Sequence, residues 1–186
     1  MTTITLLPIR KPARRRGFTL VEIMIGAALS TFILAGVLST FLFLGRSGAN
    51  MQNYSDMETQ ARRGLEIFAE DVRQASAITW NSNSSATIVV NSVNITYAYD
   101  SGTRRFNRNG APLITGVTAG SFAFSAFNVA GNEMPLSTAA ERTAASSSTK
   151  QLQITLEATR TNTTVVAATN TVLSARFILR NKIVTA

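Results

Sequence analysis

The sequence predicts an α+β protein: a long N-terminal transmembrane and stem α-helix packed against a C-terminal antiparallel β-sheet domain. Three observations carry that expectation. Residues 23–44 contain no charged side chain. Helical periodicity then resumes in a charged segment reaching about residue 76, and beyond it Ser, Thr, Asn and Val take over with the period-two alternation of half-buried strands. The organisation reads as a basic leader at 1–17, a membrane half of the stem at 18–44, an amphipathic half at 45–76 and a β-rich domain at 77–186.

The leader carries Arg10, Lys11, Arg14, Arg15 and Arg16 without an acidic residue, while Pro8 and Pro12 discourage a continuous helix. Such a tail stays on the cytoplasmic side of a membrane. The uncharged run that follows exceeds the roughly 20 helical residues needed to cross a hydrocarbon core of about 30 Å. It is longer than the apolar region of an ordinary secretory signal, although Ala27-Ala28 and Ala35-Gly36 keep conventional cleavage open as an alternative. A twin-arginine signal fits less well, because the apolar core is too long and too hydrophobic.

Glu22 stands at the start of this run and has two readings. It is a tolerated interfacial carboxylate, or it awaits a cationic partner from another chain, since Ile25 and Gly26 occupy the positions where its own helix would supply one. If Gly17 ends the leader, Phe18 begins the mature chain with a free amine. Glu22 then has a candidate partner in that amine on a neighbouring subunit.

The junction Gly17-Phe18-Thr19-Leu20-Val21-Glu22, followed by a continuous apolar helix, resembles the class III signal of type IV pilins and type II secretion pseudopilins. The resemblance implies cleavage after Gly17 by a prepilin peptidase, N-methylation of Phe18 by the same class of enzyme, and a role in assembly for Glu22. It further implies a pilin-like fold, a single-pass location in a bacterial inner membrane with the N-terminus cytoplasmic, and partnership with other pilins, the lipid bilayer and an inner-membrane assembly platform. Glycine at 17 also leaves open backbone for a peptidase to approach.

Past Leu44, the stretch Gly45-Arg46-Ser47-Gly48 lowers helix propensity and either ends or softens the stem. Met51, Tyr54, Met57, Ala61, Leu65, Phe68 and Val72 then recur at helical spacing, with Glu58 and Arg62 placed to pair. The apolar stripe is expected to carry the sheet domain. Asp71, Arg73 and Ala75 match an Asp-x-Arg-x-Ala pattern, resembling larger minor pilins and the J-type pseudopilin; as plain chemistry Asp71 and Arg73 read equally as a solvated helix end.

Residues 86–90 and 93–99 read as strands around an Asn91-Ser92 turn, continued by 104–108, 113–114 and 121–127, where Phe122, Phe124 and Ala126 face the stem. Residues 151–159, 163–168 and 174–179 supply three more candidates. Between them, 128–150 reads as a long mobile loop. The closing Arg180-Asn181 resembles the terminal strand of J-type pseudopilins.

The chain has no His and no Cys, which excludes thiol nucleophiles, His-based triads, the usual zinc sites and a disulfide-clamped loop. No enzymatic chemistry, cofactor or metal is expected; Asp100 is isolated in sequence, so calcium is disfavoured. No phosphate-binding loop appears, so assembly energy must come from a partner machine. The formal charge is +8, of which the leader holds five, leaving +3. That weakens a nucleic-acid reading, although Arg104, Arg105 and Arg108 around Phe106 form a basic hairpin that could touch phosphate.

The function expected is therefore a minor pilin or pseudopilin. The alternatives are a major or DNA-uptake pilin and a plain membrane-anchored binding domain.

Overall fold

A computed structural model describes the backbone of residues 17–162 and 165–184, and the side chains among them other than those of 160–170. The basic leader through Arg16 and the first two residues of the expected strand 163–168 lie outside this range. The chain separates into two compact units, Met1–Gly45 and Arg46–Ala186.

Helix α1, Leu20–Gln74, is assigned without interruption, so Gly45 and Gly48 do not end it. Each costs about 1 kcal/mol against alanine, too little to stop a helix with strong formers on either side. In the first unit its side chains are exposed. The hydroxyls there are already satisfied: Ser30, Thr31, Ser39 and Thr40 donate to the carbonyls of Gly26, Ala27, Ala35 and Gly36 at 2.7 to 3.1 Å. An apolar helix with internally bonded hydroxyls suits hydrocarbon, where an unpaired polar group is costly. By length and composition, this helix can cross a membrane.

In the second unit, α1 buries Met57, Ala61, Gly64, Phe68, Ala69, Asp71 and Val72. The expected stripe thus holds from Met57 onward, whereas Met51 and Tyr54 are exposed because the sheets reach no further up the helix. Gly64 is buried for a reason that periodicity does not reveal. A Cβ there would lie 2.7 Å from Ile114 Cγ1, so the adjacent strand approaches the helix backbone directly. The expected Glu58–Arg62 pair forms at 2.7 Å but is exposed and contributes little.

Five strands form the first sheet as a meander: β1 Ala77–Ser82, β2 Ser85–Val90, β3 Val93–Asp100, β4 Arg105–Arg108 and β5 Ala111–Thr115. The β2–β3 connection is the expected Asn91-Ser92 turn, and both residues have positive φ, as a two-residue hairpin turn compatible with strand twist requires. Strand β1 escaped the sequence reading, since Asn and Ser obscure an alternation whose buried members are Ile78 and Trp80.

The expectation of one continuing sheet is corrected at Gly116. Its φ is +74°, and a Cβ would meet Thr159 O at 2.4 Å, so only glycine allows the chain to pass here onto a second sheet. Thr159 N–H donates to Gly116 O and Thr118 N–H to Glu157 O, each at 2.7 Å.

The second sheet contains β6 Ala123–Phe127, β7 Glu133–Met134, β8 Gln151–Asn162 and β9 Val165–Ile178, in the order β7-β6-β8-β9. Strand β9 replaces the two short candidates 163–168 and 174–179, because the intervening 169–173 continues pairing with β8. The expected mobile loop 128–150 is also corrected. It contains β7 and helix α2, Ala139–Ser148, whose start is fixed by a reciprocal cap between Thr138 and Glu141.

Helix α2 closes the open edge of β1. Trp80 N–H donates to Ser146 Oγ at 2.9 Å, and its indole Nε1 donates to Thr149 Oγ1 at 3.0 Å. The aromatic centre lies against α1. Phe68 meets Tyr97 and Phe106 from the first sheet and Phe124 and Phe177 from the second, with centroid separations of 4.7 to 6.1 Å. Phe122 and Phe124 pack edge to face at 4.8 Å, so the expected inward direction of β6 holds.

The chain end ties down both helices. Asn181 Nδ2 donates to Gln74 O at 3.3 Å, while the buried Lys182 ammonium donates to Ser146 O at 2.5 Å and Thr149 O at 3.1 Å. Burial, and secondarily the charge of Lys150, lowers Lys182 from its ordinary 10.5 to about 8. Between those values the unfolded chain binds more protons, so domain stability should rise from about pH 8 toward pH 10. Tyr97, pushed up by burial and Asp71, opposes this only once unfolded tyrosines ionise near pH 10. Denaturant titrations at pH 8 and pH 9.5 should detect the rise and find it absent in Lys182→Met; an equal rise in that variant would assign it elsewhere.

Candidate processing and assembly site

Gly17, Phe18 and Thr19 precede the first helical residue, Leu20. Nothing lies within 4 Å of where a Gly17 Cβ would stand, so among the described residues nothing demands glycine. Phe18 is 84% exposed despite its apolar ring. The junction is therefore an open peptide link beside a helix start.

Thr19 builds that start. Its Oγ1 accepts from Glu22 N–H at 3.2 Å, and Glu22 Oε2 accepts from Thr19 N–H at 2.8 Å and from Thr19 Oγ1 at 3.0 Å. This reciprocal cap satisfies two donors that a helix N-terminus would otherwise leave bare, and a carboxylate there is favoured by the helix dipole. Glu22 is thus engaged within its own helix, a capping role beside the interfacial and partner-seeking readings of its charge. Both Thr19 donors use Oε2. Among the described residues no hydrogen bond reaches Oε1.

The sequence held the signal for Thr19: Thr-x-x-Glu before an apolar run is a capping box. Both members also lie beyond Gly17, so cleavage after Gly17 would leave the cap intact.

The second motif region resolves differently. Asp71 is buried, and its Oδ2 accepts from Tyr97 Oη at 2.5 Å and from Arg108 Nε at 2.7 Å. Ala75 is buried as well, while Arg73 is exposed, so the solvated-end reading fails for Asp71 and holds for Arg73. Burial beside Asp71 pushes the Tyr97 phenol up, and the hydrogen bond to Asp71 raises the Arg108 guanidinium.

The same contact dismantles the basic hairpin. Arg108 is committed to Asp71 and Phe106 is fully buried, leaving Arg104 and Arg105 as the exposed cations. This removes one of the three charges from the candidate phosphate contact.

A sequence pattern described as the prokaryotic N-terminal methylation motif matches residues 12–38. Over 68 residues the chain is 31% identical to the pilin-like protein PilA3 of Thermus thermophilus, a match covering 37% of this chain. It spans 29% of that relative's length. The methylation motif thus lies across the open junction, its capped helix start and most of the apolar run, with an α+β domain beyond. Both findings support membership of the type IV pilin superfamily.

Proposed function

We propose that this chain is a minor pilin or pseudopilin, cut after Gly17 and assembled into a filament through its apolar stem. The observation that carries the reading is the exposed Gly17-Phe18 link placed directly before a capped apolar helix. Glycine is unnecessary within the chain at that point, so its value lies in access for a peptidase. Cleavage frees the Phe18 amine for methylation and removes the basic leader that holds the chain on the cytoplasmic face of the inner membrane. The following domain is then external to that membrane.

Assembly exchanges lipid contacts for helix contacts. Gly26 and Gly36 have open space where Cβ atoms would stand, and with Ala27 and Ala28 they permit close approach by other stems. Glu22 Oε1 receives the Phe18 amine of a neighbour while Oε2 keeps the cap. That division lets one carboxylate order its own helix and attract a second. The buried Asp71 and the Asn181 contact to the end of α1 support the minor-subunit assignment through the motifs they belong to.

Two substitutions separate the duties of Glu22. Glu22→Gln keeps a capping acceptor but removes the charge, whereas Glu22→Ala removes both. Both should insert in membranes and both should lower incorporation into filaments by about tenfold, the loss appropriate to roughly 1.4 kcal/mol of pairing. Quantitative immunoblotting of sheared filaments against cell membranes measures this. Normal incorporation of Glu22→Gln would reject charge pairing and leave only capping.

A further inference from the structure

We propose that Asn109-Gly110 is a self-modification site, whose side-chain amide is lost when the β4–β5 turn opens and is kept while the turn is closed. The reaction is intramolecular. The Gly110 backbone nitrogen gives up its proton and bonds to Asn109 Cγ, the Cγ–Nδ2 bond breaks, and the amide nitrogen leaves as ammonia. The product is a five-membered succinimide. Water then opens the ring at either carbonyl, leaving aspartate or isoaspartate with no change of oxidation state.

Gly110 makes the attack possible. Asn109-Gly110 is the one Asn-Gly pair in the sequence, and a glycine brings no side chain to crowd the approach of its nitrogen to the amide carbon. Nothing lies within 4 Å of where a Gly110 Cβ would stand, and both residues are exposed. Water can enter and ammonia can leave.

The fold supplies the brake. The two residues join Arg108 to its partner Ala111, with φ of +48° at Asn109 and +81° at Gly110. A two-residue hairpin loop with both φ positive is a type I′ turn, in which the first central residue has ψ near about +30°. Ring closure needs the Gly110 nitrogen to eclipse Cβ about the Asn109 Cα–C bond. At this ψ the nitrogen stands nearly opposite Cβ, well beyond the roughly 3 to 3.5 Å from which a nucleophile attacks.

Two hydrogen bonds hold that geometry. Asn109 N–H donates to Thr96 O at 2.8 Å, and Thr96 N–H donates to Asn109 Oδ1 at 2.7 Å. The register of β3 with β4 ends at Tyr97 opposite Arg108, so the Asn109 side chain acts as the backbone carbonyl of one further rung. It cannot turn toward Gly110 without releasing Thr96.

Opening of the turn thus leaves a lasting chemical mark. Isoaspartate puts an extra carbon into the main chain of a two-residue loop, and Arg108 and Ala111 then lose their register. Arg108 carries the damage inward, because its Nε donates to Asp71 Oδ2 at 2.7 Å on α1. Aspartate lengthens nothing and keeps an oxygen for Thr96 N–H. The site uses neither the leader nor the stem, so its test is separate from those of processing and assembly.

The full-length chain in detergent micelles, kept for days in mildly alkaline buffer with or without denaturant, is sampled by peptide mass mapping that separates the two acids. Conversion at Asn109 should be at least about tenfold faster in denaturant, the factor implied by losing one ordinary hydrogen bond. Asn91-Ser92, whose φ values are also both positive, should convert more slowly in denaturant because Ser92 carries a side chain. After removal of denaturant, isoaspartate-bearing chains should unfold at lower denaturant than unreacted ones, and Asn109→Asp should unfold with the unreacted chains. Equal rates with and without denaturant, no conversion in denaturant, or equal conversion at Asn91 would overturn the site. An equal loss of stability in Asn109→Asp would overturn the main-chain origin of the damage.

Discussion

Phe68→Ala is expected to lower the stability of the Arg46–Ala186 domain by about 4 kcal/mol. The ring is 1% exposed and touches both sheets: Tyr97 at 4.7 Å and Phe106 at 5.8 Å on one, Phe177 at 5.6 Å and Phe124 at 6.1 Å on the other. Its removal deletes buried area and leaves a cavity where α1 joins two layers. A domain typically holds only about 5 to 15 kcal/mol in reserve. Denaturant unfolding followed by tryptophan fluorescence checks this, because Trp80 is buried and lies 5.7 Å from Phe124. A loss below about 1 kcal/mol would mean that the aromatic cluster is not the main fastening of the helix.

Gly17→Leu is expected to leave the leader attached, with the processed fraction falling by at least about a hundredfold, the penalty that a small misplacement at a reaction centre imposes. The substitution meets no neighbouring atom among the described residues and lies before the helix, so it should not disturb the domain. Those two facts make the experiment informative: a processing defect with unchanged domain stability places the requirement for glycine in the peptidase. Gly26→Ala is the matched control, because its added methyl group also meets open space but stands beyond the junction. Intact-chain size on immunoblots should show leader retention for Gly17→Leu and removal for Gly26→Ala. Removal at the ordinary rate in Gly17→Leu would refute the assignment.

How much was legible depends on whether a residue is specified by its neighbours in sequence or by distant ones. The membrane helix, the Asn91-Ser92 hairpin and the inward phenylalanines of β6 are local patterns, and they stand as expected. Gly116 and Gly64 serve Thr159 O and Ile114, partners that no periodicity can identify. Asp71 looked like a solvated helix end because its partners, Tyr97 and Arg108, arrive from strands on the far side of a turn. Helix α2 and Thr19 were different. Both carry a Thr-x-x-Glu cap in plain sequence, set in one case in a Ser- and Ala-rich context and in the other beside a membrane run whose one carboxylate is also the capping residue.

At the junction, Gly17, Phe18 and Glu22 were legible as a set of residue types. Their division of labour was not. The geometry adds which oxygen the cap occupies: Glu22 accepts through Oε2, so in the proposed assembly a neighbour's amine adds to an occupied carboxylate rather than filling an empty one.

Intact-mass and N-terminal peptide measurements on the chain from its native membrane test the reading most directly. They should find a chain that begins at Phe18 and carries a methyl group on its amine, with residues 1–17 gone. A chain that retains Met1 through Gly17, or begins beyond the apolar helix, would contradict it.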